Sequence, residues 1–87
     1  MKDENLKFLG TVEPELITSF WYNYSRNLPS ATIRELDRIY TEETGTSLNT
    51  NFGCGNCILR LLKQCSRLYF KELPDRIPEN LRDRKKI

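Results

Sequence analysis

The feature that most constrains the fold is the stretch 51–71, which joins a Gly-rich corner with two cysteines to an amphipathic helical pattern. Apolar side chains recur along it at intervals of three and four residues, which places them on one face of a helix. They are Ile58, Leu61, Leu62, Cys65, Leu68 and Tyr69. We therefore predict a helix that begins at Gly55 or Asn56 and ends at Leu73, because a proline follows.

Basic side chains on the same predicted helix repeat at three, four and four residues, so they form a stripe away from the apolar face. The stripe consists of Arg60, Lys63, Arg67 and Lys71. Residues 1–57 carry five basic and eight acidic side chains, a net charge of −3, whereas residues 58–87 carry nine basic and four acidic, a net charge of +5. Such segregation indicates either an acidic partner or a solvated helix face with a loose basic tail.

Two further helices are predicted upstream. The first runs from Pro14 to Asn27 and ends before Pro29, with an aromatic face (Phe20, Trp21 and Tyr24) that we expect to lie mostly in the core. The second begins near Ser30 or Thr32 and ends at Gly45, a residue suited to a left-handed C-cap. We predict an all-α fold, a small three-helix domain over residues 13–73. A flexible N-terminal arm (1–12) and a basic tail (74–87) complete it.

Length and composition narrow the class of protein. A chain of 87 residues holds one small domain, and 38% hydrophobic with 30% charged residues is typical of a soluble helical one. No apolar run approaches the ~20 residues of a membrane span, and the first residues lack the pattern of a signal peptide. We expect a cytoplasmic protein with no membrane partner.

The Cys54-x-x-Cys57 pair has three interpretations. A zinc site needs four ligands, but the chain has no histidine and Cys65 lies ~12 Å along the helix, so two copies would have to share the metal. A redox role is favoured by the helix N-terminus, which stabilises a thiolate. However, the CxxC pair of thioredoxin-like proteins follows a β-strand, and this sequence predicts no such strand. A structural role at a tight corner fits the flanking glycines. We favour the structural role and expect no metal and no cofactor.

Catalytic signals are sparse. Without histidine, acid–base chemistry falls to carboxylates, lysine or tyrosine, and the acidic residues do not form convergent pairs. Neither a phosphate-binding glycine loop nor a nucleophile elbow is present. We predict a protein that is not an enzyme.

The basic end is the predicted binding surface. The stripe, extended by tail cations, can follow a phosphate backbone with salt-dependent affinity. The predicted binding residues are Arg60, Lys63, Arg67, Lys71, Phe70, Arg76, Arg82, Arg84, Lys85 and Lys86. Phe70 falls off the apolar stripe, so its ring either stacks on an unpaired base or packs against the tail or the arm.

The pattern Ile39-Tyr40, Thr44-Gly45 and Cys54-Gly-Asn-Cys57, followed by Ile-Leu-Arg60-Leu-Leu, resembles small accessory proteins of bacteriophages and mobile elements, notably of Bacteroidota hosts. The resemblance implies virion components, transcription regulators or inhibitors of host defence such as anti-CRISPR proteins. We expect a non-enzymatic accessory protein, anti-CRISPR-like, that binds RNA or a host ribonucleoprotein in the cytoplasm of the host cell. One alternative is an acidic protein surface as the partner. The other is an assembly protein that oligomerises, for instance as a homodimer, through the aromatic residues of the first predicted helix, with or without a shared zinc.

Overall fold

The computed structural model describes residues 1–84 and 87, and the regular elements within them are all helical. The α-helices are α1 (Asp3–Thr11), α2 (Glu13–Tyr22), α3 (Ser30–Thr44) and α4 (Gly55–Glu72), followed by 3₁₀ turns at Pro74–Arg76 and Glu79–Leu81. The prediction of an all-α fold is confirmed. The predicted count of three helices is wrong, because the sequence pattern does not predict α1. None of the described helices is both long enough and apolar enough to cross a membrane.

The amphipathic helix α4 is the element on which the other three α-helices pack. On its apolar face, Leu61, Leu62 and Cys65 have no exposed surface. Leu16 of α2 and Leu36 of α3 are equally inaccessible and belong to the same core. Each fully buried aliphatic side chain contributes about 1.5–3 kcal/mol relative to exposure. This shared core therefore fixes the position of α4 and of the side chains on its outer face.

Both α3 and α4 lie where the sequence predicts them. Gly45 follows α3 with a φ of 72°, and its N–H donates to the Thr41 carbonyl at 2.8 Å. This is the left-handed C-cap that the glycine predicts. At the other end of the connection, Cys54 has extended backbone (φ −112°, ψ 114°) and is the N-cap of α4. The helix then runs to Glu72, one residue short of its predicted end.

Residues 3–11 form α1, so the prediction of a flexible arm over residues 1–12 is wrong for them. Leu9 has no exposed surface, and Val12 is also buried against the core. Asn5 lies one turn before Leu9 on the same helix face and is buried as well. A polar residue at this core position breaks the apolar periodicity, which is why the pattern does not predict the helix.

A network of charged and polar side chains joins α1 to α3, and we call it the interhelix cluster. Its members are Lys2, Asn5, Glu35, Arg38, Glu42 and Glu43. The amide nitrogen of Asn5 donates to both Glu42 and Glu43 at 2.7 Å, and its oxygen accepts from Arg38 at 2.9 Å. Asn5 is thus a buried amide whose nitrogen and oxygen are both satisfied, as burial of a polar group requires.

Helix α2 ends at Tyr22, five residues before its predicted end at Asn27. Asn23 adopts the left-handed conformation (φ 55°, ψ 39°), and its N–H donates to the Thr18 carbonyl. Asparagine tolerates this conformation better than most residues with a side chain, so it is a common helix terminator. The residues from Asn23 to Pro29 then form an irregular connection to α3.

The described part of the predicted basic tail folds back on the helices, a packing that the sequence pattern does not predict. Leu81 is buried, and Arg76 forms a bidentate pair with Glu13 at the start of α2, both bonds at 2.9 Å. The hydrogen bond from Arg76 holds the pKa of Glu13 below its ordinary value. The Tyr69 hydroxyl donates to the same carboxylate. One glutamate therefore ties α2, α4 and the tail together.

Candidate functional site

A groove of about 410 Å³ lies between the C-terminal end of α2 and the outer face of α4. Arg60, Lys63 and Arg67, three of the four cations of the predicted stripe, line it. Their spacing places them along about two turns of α4. The other lining residues are Phe20 and Asn23 of the α2 end and Asn56, Leu59 and Gln64 of α4. We call this surface the basic groove.

The charge of the basic groove is not neutralised within the described chain. Across residues 1–84 and 87, no carboxylate forms an ion pair with Arg60, Lys63 or Arg67. No acidic side chain is among the described residues that line the groove. Uncompensated cations in a concave surface concentrate positive potential, so the groove attracts anions.

Helix α2 holds two of the three cations in place. The ammonium group of Lys63 donates to the side-chain oxygen of Asn23, the residue that ends α2. The guanidinium carbon of Arg67 lies 5.6 Å from the ring centre of Phe20, within cation–π range. The sequence predicts the cations but not Phe20 or Asn23, since their contacts depend on how α2 packs on α4. Asn23 follows the aromatic residues of α2, and in the sequence it signals a helix end. It does not indicate a contact with Lys63.

The fourth cation of the stripe, Lys71, is exposed but lies outside the basic groove. It borders a second hollow of about 540 Å³ between the end of α4 and the tail. Its neighbour Phe70 is 1% exposed, and its ring packs edge-on against Trp21 and Tyr69, with centroids 5.3 and 4.9 Å away. The prediction of Phe70 as a base-stacking residue therefore fails, because its ring belongs to the core.

The tail cations are placed differently from one another. Arg76 is engaged with Glu13, and Arg82 donates to the carbonyls of Ile77 and Asp75 at 3.2 and 3.3 Å. Arg84 is exposed. The predicted binding residues Lys85 and Lys86 lie outside the described residues. The tail therefore adds Arg84 as an exposed cation, while Arg76 attaches the tail to α2 and Arg82 bonds within the tail itself.

Two exposed aromatic residues flank the end of α2. Tyr22 is 53% exposed and Tyr24 is 58% exposed, and between them lies Asn23, a lining residue of the basic groove. Trp21 is half-buried against Phe70. The sequence assigns Tyr24 to the core face of a longer helix, and the early end of α2 removes it from that face. Exposed aromatic rings are side chains on which unpaired bases stack.

The two cysteines of the corner lie at the start of α4, half-buried, whereas Cys65 is fully buried. The Cys54 sulfur accepts a hydrogen bond from the Cys57 N–H at 3.4 Å, so Cys54 caps the helix. Among the described residues, no three or more Cys, His, Asp or Glu side chains cluster as metal ligands would. One copy therefore offers two of the four ligands of a structural zinc site, and a zinc shared between copies stays the alternative to the structural role.

The basic groove combines ammonium and guanidinium donors with the side-chain amides of Asn56 and Gln64. These groups donate hydrogen bonds to anionic oxygens such as those of phosphate. The arrangement is suited to binding a polyanion. Comparison of the chain with protein-family models, with curated proteins and with solved structures finds no match.

Proposed function

We propose that this chain is a non-enzymatic accessory protein of phage type that binds RNA, free or in a host ribonucleoprotein, through the basic groove. The observation that carries the proposal is the convergence of Arg60, Lys63 and Arg67 on one groove, with no ion-pair partner among the described residues. A nucleic-acid backbone supplies phosphates at regular intervals to such a row of cations. The phage-type role rests on the sequence resemblance, and inhibition of a host ribonucleoprotein is its most specific form.

Two features favour RNA over sequence-specific reading of duplex DNA. The connection between α3 and α4 spans residues 45–54, much longer than the three- to four-residue turn of a helix-turn-helix. Exposed Tyr22 and Tyr24 beside a groove residue suit unpaired bases, which RNA presents in loops and single strands. We therefore propose unpaired RNA as the ligand.

The alternative of assembly through the aromatic residues of α2 has less support. Phe20 is 2% exposed, and Trp21 is half-buried against Phe70. Of the aromatic side chains that α2 carries, Tyr22 is the one with an exposed surface large enough for a partner. Aromatic residues that fill the core of one copy do not serve to join two copies.

The test compares the wild type with a variant in which Arg60, Lys63 and Arg67 are all changed to glutamate. The probe is a labelled, unstructured RNA of about 20 nucleotides, longer than the usual site size of one small domain. Fluorescence anisotropy should show binding that weakens with salt, with a log–log slope of about −2 for three neutralised phosphates. The variant should bind at least about 100-fold more weakly with an unchanged far-UV circular dichroism spectrum, because the three side chains lie outside the core.

The matched control changes Lys7, Arg26 and Arg34 to glutamate, which alters net charge equally at exposed residues outside the groove. We expect this control to bind RNA within a few-fold of the wild type. An equal loss in both variants would show that overall charge, not the groove, drives binding. Binding of polyglutamate without binding of RNA would identify an acidic protein surface as the partner instead.

A further inference from the structure

A pair of thiols at the start of α4 has no part in the proposed function. Cys54 is the N-cap, and its sulfur lies 3.4 Å from the backbone nitrogen of Cys57. The Cys57 backbone therefore lies next to the Cys54 sulfur, so the Cys57 side chain can approach that sulfur as an intramolecular disulfide requires.

The surroundings give the two sulfurs unequal chemistry. The hydrogen bond from the Cys57 thiol lowers the pKa of Cys54, and that same bond raises the pKa of Cys57. The positive end of the 18-residue helix α4 further favours a thiolate at this position. Cys54 therefore has the properties of an attacking thiolate, and Cys57 those of the thiol that completes the exchange.

Cys65 provides an internal reference. Burial raises the pKa of its thiol to about 12, against an ordinary value of 9.0. A difference of that size lowers the thiolate fraction at neutral pH by about 1,000-fold. Both corner thiols are, in addition, partly open to solvent, whereas Cys65 is enclosed. The chain thus separates two accessible thiols from one inert thiol.

We propose that Cys54 and Cys57 form a reversible dithiol–disulfide couple that exchanges with low-molecular-weight disulfides of the glutathione type. The Cys54 thiolate attacks one sulfur of the small disulfide, which forms a mixed disulfide and releases one small thiolate. Cys57 loses its proton to solvent and attacks the Cys54 sulfur, which releases the second small thiolate. The protein dithiol is oxidised by two electrons, and the small disulfide is reduced to two thiols.

The test incubates the native chain with oxidised glutathione at neutral pH, traps free thiols with N-ethylmaleimide, and records intact mass and peptide maps. We expect a loss of two hydrogen atoms, with Cys54 and Cys57 protected from the reagent and Cys65 still reduced. Reduced glutathione in excess should restore both thiols. Mixed disulfides on separate cysteines, without the intramolecular bond, would overturn the proposal.

Three variants assign the roles. Cys57→Ser should stop at the mixed disulfide on Cys54, and Cys65→Ala should react as the wild type does. Cys54→Ser keeps a good N-cap and should react at least about tenfold more slowly, since the lowered-pKa thiol is lost. A Cys54→Ser rate equal to that of the wild type would contradict the assignment. A zinc-bound dimer in which Cys54 and Cys57 do not react with oxidised glutathione would overturn the proposal.

Discussion

The interhelix cluster and the basic groove both contain arginine and lysine, yet they use these charges in opposite ways. In the cluster, Arg38 lies between Glu35 and Glu42, and Lys2 pairs with Glu42 at 3.2 Å. In the groove, α4 presents three cations with no acidic partner among the described residues. The first arrangement joins two helices, and the second leaves charge available to a ligand.

The difference shows that composition alone does not locate a binding surface. The net charge of the C-terminal part includes Arg76, which is engaged by Glu13, as well as Arg67, which has no carboxylate partner among the described residues. Pairing within the fold decides which cations remain available. A cation that holds helices together should affect stability when removed, and one in the groove should affect binding.

The largest effect on stability is expected for Asn5→Ala, which removes the buried amide at the centre of the interhelix cluster. Its loss deletes hydrogen bonds to charged groups, so the free energy of unfolding should fall by about 2–3 kcal/mol. RNA affinity of the folded variant should be unchanged. Chemical denaturation measures the change, with the exposed Asn27→Ala as control, expected within about 0.5 kcal/mol. Equal changes in the free energy of unfolding for the two variants would contradict the structural role of Asn5.

The next-largest effect is expected from a fall in pH, which should distinguish the interhelix cluster from the basic groove. Hydrogen bonds from Asn5 hold the pKa of Glu42 and Glu43 below the ordinary value of 4.5. Their contribution to stability is therefore complete above that pH and is lost as the pH falls through the lowered values. The stability difference between the wild type and a Glu42→Gln, Glu43→Gln variant should shrink between pH 7 and pH 3. A constant difference in denaturation experiments across this range would contradict the role of the carboxylates.

The smallest effects are expected for single alanine variants of Arg60, Lys63 and Arg67. Each should reduce the slope of log affinity against log salt by about 0.7, the share of one phosphate on a single strand. Each should lower the free energy of unfolding by no more than about 1 kcal/mol, because Lys63 and Arg67 each lose one contact with α2. Anisotropy titrations over a salt series give the slope. A slope that does not change would place the phosphates on other cations, such as Lys71 or Arg84.

The parts of the fold that the sequence predicts are those with uninterrupted local signals. In α3 and α4 the apolar period is regular, and Gly45 and Pro74 mark the ends. Helix α1 is missed because Asn5 stands at a core position and is satisfied only by side chains 33 to 38 residues away. The end of α2 depends on one left-handed asparagine, which no periodicity reveals.

The residues of the candidate site likewise divide into those that a local pattern predicts and those that depend on helix packing. The spacing of Arg60, Lys63 and Arg67 is a property of one helix and is readable from the sequence. Phe20 and Asn23 enter the groove through the packing of α2 on α4, which no local pattern specifies. The sequence leaves Phe70 between a stacking and a packing role, because it does not show that Trp21 covers a part of α4 beyond the main apolar stripe. Local order is therefore predictable, and the surfaces that two helices share are not.

The contacts of Lys63 with Asn23 and of Arg67 with Phe20 have a consequence for the entropy of association. A long cationic side chain that is immobilised by its ligand loses up to about 1.5–2 kcal/mol of rotamer freedom. Two of the three groove cations already meet a partner in the fold, so part of that loss occurs during folding. Binding of a polyanion then requires less ordering than it would on a helix with freely rotating side chains.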